Sequence, residues 1–523
     1  MSKNRPVTLT LLGLTVLYAA VVALQVGRHL WFDELITYHI ALAPSLERIV
    51  RLVVAWDLNP PTMHILAHYS LMAFGPNALA VRLPSIVAFY AAGIFLFFYV
   101  RRKVGVAYAA IPFLLLCGSN FSYYATEARP YAMMAAAFCG LLLSWDTATS
   151  TARYRSWALA GVAVSSLGLV ASHVFGPLSL FPFVAAEAYR YWTTRQADWP
   201  LYGALLLPCT GVLGYLPLVR AYSAITYYPP YFQASYHKMG AFYWNLFKAV
   251  GWAVCLGAAA ACFVARRAPR RANLSLFRPV NAIVYTLIGA LPVFLNMIFM
   301  HDQGAFWPRY CITTAFALCT LFAVILGSAV SRDARAGYAA TAVIACMVVI
   351  GSVALPAWEK SVKPSLSPNA ATLAGIQANL PLVAASGMTF VEMGHYEQPA
   401  ITDRLYYLVD RADSIRYAHS TLFDDLHGFA QALGLRGRVE QFQSFVCEHP
   451  DFLVLGTVDY PEDWLLRKLA ADRASITLIG KYPELPYKDH RLYRIALPRA
   501  GCVPPPKHDS GQSADAVSAS SVL

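Results

Sequence analysis

Asp33 and Glu34 stand side by side between Trp31-Phe32 and Leu35-Ile36, just past the first long apolar run. Adjacent carboxylates at a membrane boundary are costly unless something uses them. One can act as a general base while the other holds a metal, an arginine or the backbone. The structural alternative is an acidic first turn that stabilises a juxtamembrane helix through its dipole. Glu127-Ala128-Arg129-Pro130-Tyr131 places a further carboxylate and a guanidinium at the start of another apolar run; a self-satisfying ion pair is the alternative there. Trp307-Pro308-Arg309-Tyr310 opens a third such run. An arginine there adds a fixed cation to the positive end of a helix dipole, which suits a phosphate. The same residues also serve as an interfacial anchor, since Arg, Trp and Tyr all snorkel.

The histidines are weaker signals. His64 and His68 share a helical face at i, i+4 spacing, which metals use, but no third ligand is matched to them. A satisfied interfacial pair fits them better. His173 sits at a helix boundary, where it binds substrate or is simply hydrogen-bonded, and His301-Asp302 precedes the Arg309 motif. No Walker A sequence, no GxGxxG after a strand and no HExxH is present, which argues against nucleotide hydrolysis, dinucleotide binding and zincin chemistry.

The elements that position these residues are membrane helices. Of 523 residues, 58% are hydrophobic and 13% are Asp, Glu, Lys or Arg, about half the charge of a soluble domain. The mean hydropathy is +0.47. A water-soluble enzyme, a disordered chain and a secreted disulfide scaffold are excluded. Eight of the ten cysteines lie inside apolar runs, where Cys acts as a small hydrophobe. Cys447 and Cys502 form the one pair outside that region, and nothing in the sequence fixes a bond between them.

Eleven apolar runs are candidate spans. They cover approximately Val7 to Gly27, Leu83 to Val100, Val106 to Phe121, Tyr131 to Trp145, Trp157 to Ser172 and Val174 to Tyr189. The others are Leu201 to Val219, Ala241 to Val264, Val280 to Met300, Tyr310 to Val330 and Tyr338 to Leu355. With a cytoplasmic N-terminus, one set of connections gathers Arg101, Arg102, Lys103, Arg153, Arg155, Arg190, Arg195, the Arg266–Arg278 cluster, Arg332 and Arg335. This is the distribution the positive-inside rule requires, and an odd span count puts the C-terminal domain outside.

Residues 1–357 carry 25 basic and 10 acidic side chains, and residues 358–523 carry 16 and 19. Few as they are, the carboxylates of the first part can each be placed. Asp146, Asp198, Asp333 and Glu187 fall at the inner side; Asp33, Glu34, Glu47, Asp57, Glu127 and Asp302 fall at the outer side. No Lys/Arg run with interleaved aromatics points to nucleic acid. The basic membrane region reads as an orientation signal and a contact for anionic lipid.

Residues 28–82 read as a long outer loop. In it Asn59-Pro60-Pro61 precedes an amphipathic stretch, Thr62 to Phe74, too short to span and suited to the interface. Residues 220–240 form a second outer loop rich in Tyr and Pro. Residues 358–500 read as a small extracytoplasmic α/β domain, with strands at Thr389 to Glu392, Phe452 to Val458, Ile476 to Gly480 and Leu492 to Ala496 and a helix from Pro461 to Asp472. Residues 501–523 read as a disordered tail.

Taken in order, these motifs resemble the bacterial members of the GT-C membrane glycosyltransferases, the group that includes protein O-mannosyltransferase-like and aminoarabinose-transferase-like enzymes. The matching stretches are WFDELITYHIA (31–41), NPPTMHILAHYSLMAFGPNALAVRLPS (59–85), SNFSYYATEARPYAMM (119–134), SHVFG (172–176) and FWPRY (306–310). The resemblance spans roughly residues 7–330.

It implies a polytopic α-helical membrane protein: a GT-C-like bundle of about 11 transmembrane helices at 1–357 in the bacterial cytoplasmic (inner) membrane. It also implies a polyprenyl-phosphate sugar donor and an envelope glycan, lipid or protein acceptor on the outer face. By that analogy Asp33 is the catalytic base and Glu34 its helper. Glu127, Arg129, Tyr131, His173 and Tyr310 line the substrate cavity, and Arg82 and Arg309 meet the donor phosphate. A divalent cation at Asp33-Glu34 is allowed, although nothing in the spacing demands one.

The chemistry agrees with this reading. A transferase outside the membrane needs a donor activated in lipid, a carboxylate for the acceptor proton and cations for the departing phosphate. The rival readings are a polytopic transporter, which needs charge near the bilayer midplane and broken helices in paired positions, and a non-catalytic envelope-assembly protein.

Overall fold

A computed structural model describes residues 5–57, 59–218, 233–266, 278–301, 304–357, 376–456, 463–482 and 490–497. The chain divides into two compact units, Met1–Leu366 and Ser367–Leu523. Among the expectations above, the Tyr/Pro-rich stretch 227–232, Asp302 and the tail 501–523 lie outside the described residues.

The first unit is helical because apolar side chains fill every turn, leaving the backbone to satisfy its own hydrogen bonds. Among the described residues, nine helices are long and apolar enough to cross a membrane. They are Arg5–Gln25, Ala78–Val104, Tyr131–Ser150, Arg155–Ser172, Trp199–Leu218, Tyr236–Ala265, Pro279–His301, Pro308–Ala329 and Ala334–Ala357. A further apolar pair, Val106–Gly118 and Asn120–Thr126, is bent by 84° at its break, the form of a broken span or a re-entrant loop. That bend turns Glu127 and Arg129 toward the carboxylate pair.

The eleventh expected span, Val174 to Tyr189, is not a regular membrane helix. It starts as a 3-10 turn, Gly176–Ser179, and becomes the helix Phe181–Thr194 of 14 residues. Such a helix rises about 21 Å, short of the roughly 30 Å hydrocarbon core. Pro177 and Pro182 lie at the two starts, where a missing N–H does least harm. The path still returns the full depth of the bundle. Arg155, which opens the helix Arg155–Ser172, pairs at 2.6 Å with Asp198, which follows the short helix, while His173 lies at the far end between them.

The polar residues gather at the two ends of the helices. At one end Asp146 binds Lys103 and Arg278, tying together the helices Ala78–Val104, Tyr131–Ser150 and Pro279–His301. At the other end of these same helices lie Arg82 and Tyr131. Between the ends the interior is apolar and tightly packed. Tyr18, Phe89, Phe113 and Phe316 are in ring contact, and a Cβ on Gly93 would sit 2.5 Å from the Phe113 ring.

The loop 28–82 is itself largely helical, with Phe32–Ala41, Leu46–Trp56 and Thr62–Phe74. The last matches the expected amphipathic stretch, and at 13 residues it is too short to span.

The second unit is built on a six-stranded sheet of order β3-β2-β1-β4-β6-β5. The strands are β1 Leu382–Ala384, β2 Leu405–Val409, β3 Arg438–Gln441, β4 Asp451–Gly456, β5 Ser475–Tyr482 and β6 His490–Ala496. β3, β2, β1 and β4 run parallel, and β6 and β5 add antiparallel. The expected strand at Thr389 to Glu392 is instead the helix Gly387–Tyr396, started by the Ser386 side chain accepting from the Met388 N–H. A short buried apolar run carries no period that separates strand from helix, and here the cap decides. The Pro461 to Asp472 helix is seen as Leu465–Ala471.

Candidate active site

Glu34 is held from every side. Its helix, Phe32–Ala41, begins at Trp31, whose backbone N–H donates to Glu34 Oε2 in a capping box. Arg82 forks onto the same carboxylate, Nε to Oε1 and Nη2 to Oε2, each at 2.7 Å. The Ala128 N–H adds a bond of 2.9 Å, and Arg28 approaches to 3.7 Å. Both Glu34 and Arg82 are fully buried.

Arg82 spends its remaining donors on the carbonyls of Val26, Arg28 and His29. All five of its N–H groups therefore have protein acceptors, and none is left for a donor phosphate. The two adjacent acids meet different partners: Glu34 is fully buried in a bidentate pair with Arg82, the residue expected to meet the donor phosphate. Bidentate guanidinium–carboxylate geometry is what makes such burial tolerable.

Asp33 is free of that lock. Its Oδ2 lies 3.2 Å from Arg309 Nη2. The Arg309 guanidinium sits in a cage of rings, its Cζ 5.5 Å from Trp31, 5.5 Å from Tyr131 and 5.0 Å from Trp307. Aromatic faces hold a cation without consuming its N–H donors. Arg309 Nε is buried with no hydrogen-bond acceptor, so the guanidinium keeps unused donors.

Arg129 packs beside them. It pairs with Asp57 at 2.7 Å and reaches the Asp33 carbonyl and Thr37 Oγ1, both at 3.4 Å. His64 Nε2 is 2.7 Å from Asp57 Oδ2, at an angle poor for a hydrogen bond. Burial pushes the Asp57 carboxyl up, but Arg129 and His64 outweigh it and hold the group well below the usual carboxylate range. His68 turns away from His64 and meets the Ala41 carbonyl through Nδ1 at 2.8 Å.

Glu127 is the carboxylate without a guanidinium partner in direct contact. Trp31 Nε1 donates to its Oε1 at 3.1 Å, while Oε2 is buried with no partner. Burial pushes its carboxyl up to about 7, Arg309 and Arg129 opposing and the Asp33 and Glu34 charges reinforcing the rise. A carboxyl in that state donates or accepts a proton near neutral pH.

His173 closes the site. Its ring contacts Tyr131, Phe175 and Tyr310 at centroid distances of 5.3, 5.5 and 5.7 Å. Burial and the nearby Arg129 and Arg309 charges push the imidazole down to about 3. It is therefore neutral at physiological pH. Its Nδ1 accepts from the Phe175 N–H at 3.1 Å, which leaves the proton on Nε2.

The structure thus brings Asp33, Glu34, Arg82, Glu127, Arg129, Tyr131, His173, Arg309 and Tyr310 to one place. Asp57, His64, Arg28 and Trp31 join them without having been singled out for it. An acid two residues before Asn59-Pro60-Pro61 was the available signal for Asp57.

A divalent cation at Asp33-Glu34 fits the residues poorly. Glu34 already accepts from three groups, Asp33 faces Arg309, and no cluster of three ligating side chains occurs among the described residues.

The first unit is a helical bundle with the candidate site at one end of its helices, and the second is a small α/β unit, the two parts that the motifs led us to expect. Among solved structures the chain is similar to ArnT from Cupriavidus metallidurans. Against ArnT in the apo state the TM-score is 0.52, with 13% identity over 94% of this chain and 98% of that one. Against ArnT bound to undecaprenyl phosphate it is 0.50, with 14% identity and the same coverage. No protein-family model matches the chain, and no curated protein matches it. At this identity the likeness shows the fold.

Proposed function

We propose that this chain is a membrane glycosyltransferase that moves a sugar from a polyprenyl-phosphate donor to an envelope acceptor, with inversion and with Asp33 as general base. The observation that carries the reading is the 3.2 Å approach of Asp33 to a ring-caged Arg309 with unused donors. ArnT, which shares the fold, has been crystallised bound to undecaprenyl phosphate, and a lipid phosphate is the ligand we carry over. Near a membrane surface a caged guanidinium suits such a phosphate.

In the resting site Asp33 Oδ2 lies against Arg309 Nη2. When the donor phosphate takes the free Arg309 N–H groups, Asp33 is left as a carboxylate facing the sugar. An acceptor hydroxyl gives its proton to Asp33 as its oxygen forms a bond to the anomeric carbon. The bond from that carbon to the phosphate oxygen breaks, and the phosphate leaves with the electron pair toward Arg309. His173 Nε2–H and Glu127 are left to hold sugar hydroxyls. No side chain becomes covalently attached.

The outer face of a bacterial inner membrane is the proposed setting. The site lies at the helix ends opposite the Lys103, Arg278 and Arg155 connections, as expected for basic groups kept inside. Cys447 is disulfide-bonded, which supports an oxidising location for the second unit; Cys502 lies outside the described residues. The test is incubation of purified protein with polyprenyl-phosphate sugars while free polyprenyl phosphate is followed. A protein that inserts and folds yet releases none from any such donor would end the reading.

A further inference from the structure

A cavity of about 610 Å³ runs beside the site along the 3-10 turn Asn120–Thr126, whose C-cap is Glu127. That size lies within the range of small-molecule pockets. Its lining has no Asp, Glu, Lys, Arg or His among the described residues. Instead it offers the amides of Gln25 and Asn120, the hydroxyls of Tyr123, Tyr124 and Ser352, and the open backbone of Gly351.

Several of these polar atoms are unspent. The Tyr123 and Tyr124 hydroxyls and Asn120 Oδ1 make no hydrogen bond within the protein among the described residues, while Asn120 Nδ2 donates to the Asn245 carbonyl. Ser352 donates to the Cys117 carbonyl at 3.2 Å and keeps its lone pairs. Gln25 donates once, to Ser122 Oγ at 3.3 Å, and retains its second amide proton.

The far wall is shaped by an irregularity. The helix Ala334–Val349 runs into a π-turn at Ile350–Ala354, a rare feature that is frequent at functional sites. Gly351 in that turn has nothing within 4 Å of where a Cβ would stand.

We infer that this cavity binds an uncharged saccharide, the sugar portion of the acceptor. Aromatic faces beside amides and hydroxyls are the set that recognises a ring with apolar faces and polar edges. An acyl chain there would leave the free hydroxyls and amide unpaired, and a phosphate would meet no charged lining residue, Arg28 beside it being stacked on Tyr123 and donating to Thr126.

The wall is one aromatic layer from the reacting groups. Tyr124 lies 5.4 Å from the Tyr131 ring, itself 5.5 Å from Arg309 Cζ. Tyr123 lies under Arg28 at 4.0 Å. The acceptor role, though not the binding itself, rests on the transferase reading.

The test is binding to the full chain in nanodiscs, by saturation-transfer NMR and calorimetry, of methyl glucoside, methyl galactoside, methyl mannoside, methyl N-acetylglucosaminide and maltotriose. At least one is expected to bind, and Gly351→Leu to weaken it tenfold or more. Asn120→Leu, at an exposed position, gives the same readout should Gly351→Leu fail to insert. No binding to the wild type, or binding indifferent to these cavity-filling changes, overturns the inference. Saccharide binding without release of polyprenyl phosphate from any donor would end the transferase reading alone. Release without saccharide binding would end this one alone.

Discussion

Asp33 Oδ2 and Arg309 Nη2 lie 3.2 Å apart, although one opens the first outer segment and the other opens a late span. Glu34, the next residue along the same helix, is locked instead by Arg82 at 2.7 Å. Two adjacent acids are thus given different arginine partners, Asp33 facing Arg309 and Glu34 facing Arg82.

The lock makes a stability prediction. Glu34→Gln leaves Arg82 buried without its counter-charge, and breaking such a pair costs about 3–5 kcal/mol. The variant is expected to show lower yield and a lower thermal midpoint in detergent, with any surviving protein still binding donor. Glu34→Gln combined with Arg82→Met is expected to recover part of the loss. Additive losses in the double variant would contradict the lock.

Arg309 should not be replaceable by another cation. Arg309→Lys keeps the charge but loses the planar fork and the fit among three rings. Loss of one preorganised donor to developing charge typically costs about 10²–10³-fold, and kcat/KM for the donor is expected to fall by that order while insertion and folding persist. Wild-type turnover in Arg309→Lys would remove Arg309 from the phosphate site.

The folded-state pKa of Glu127, about 7 against an ordinary 4.5, makes a pH prediction. Between these values the folded state holds a proton that the unfolded chain has lost, so stability falls as pH rises through this window. Glu127→Gln removes that slope and preserves an acceptor for Trp31 Nε1. Thermal melts are expected to find the variant more stable than wild type at pH 8 and no more stable at pH 5. Parallel stability curves would show that Glu127 is an ordinary carboxylate.

Much of this site was legible because charge is scarce. With ten carboxylates in the membrane region, each one stood out, and the Asp33, Glu127 and Arg309 motifs could be set at one face before any geometry was known. What could not be read was which partner each would choose. Arg82 and Arg309 are equivalent in a sequence, yet one has every donor on a protein acceptor and the other is held by rings that take none. Asp57 was visible as an outer acid, but its contact with Arg129 depends on the fold of the loop 28–82.

The spans were legible from apolar length. The crossing after His173 was marked too, by the run Val174 to Tyr189, but its irregular form, a 3-10 turn and then a helix of 14 residues, was not, because it depends on where Pro177 and Pro182 break the helix. In the second unit Thr389 to Glu392, inside the helix Gly387–Tyr396, read as a strand because its apolar run is brief and the helix cap is a single serine.

The central claim is that Asp33 takes the acceptor proton. Its most direct test is transfer and polyprenyl-phosphate release by Asp33→Asn, with insertion and thermal midpoint checked against wild type. Asn keeps the size and removes the base, and loss of a general base costs about 10²–10⁴-fold. The account predicts a loss of that order in a folded, donor-binding protein. Turnover within a few-fold of wild type would contradict it.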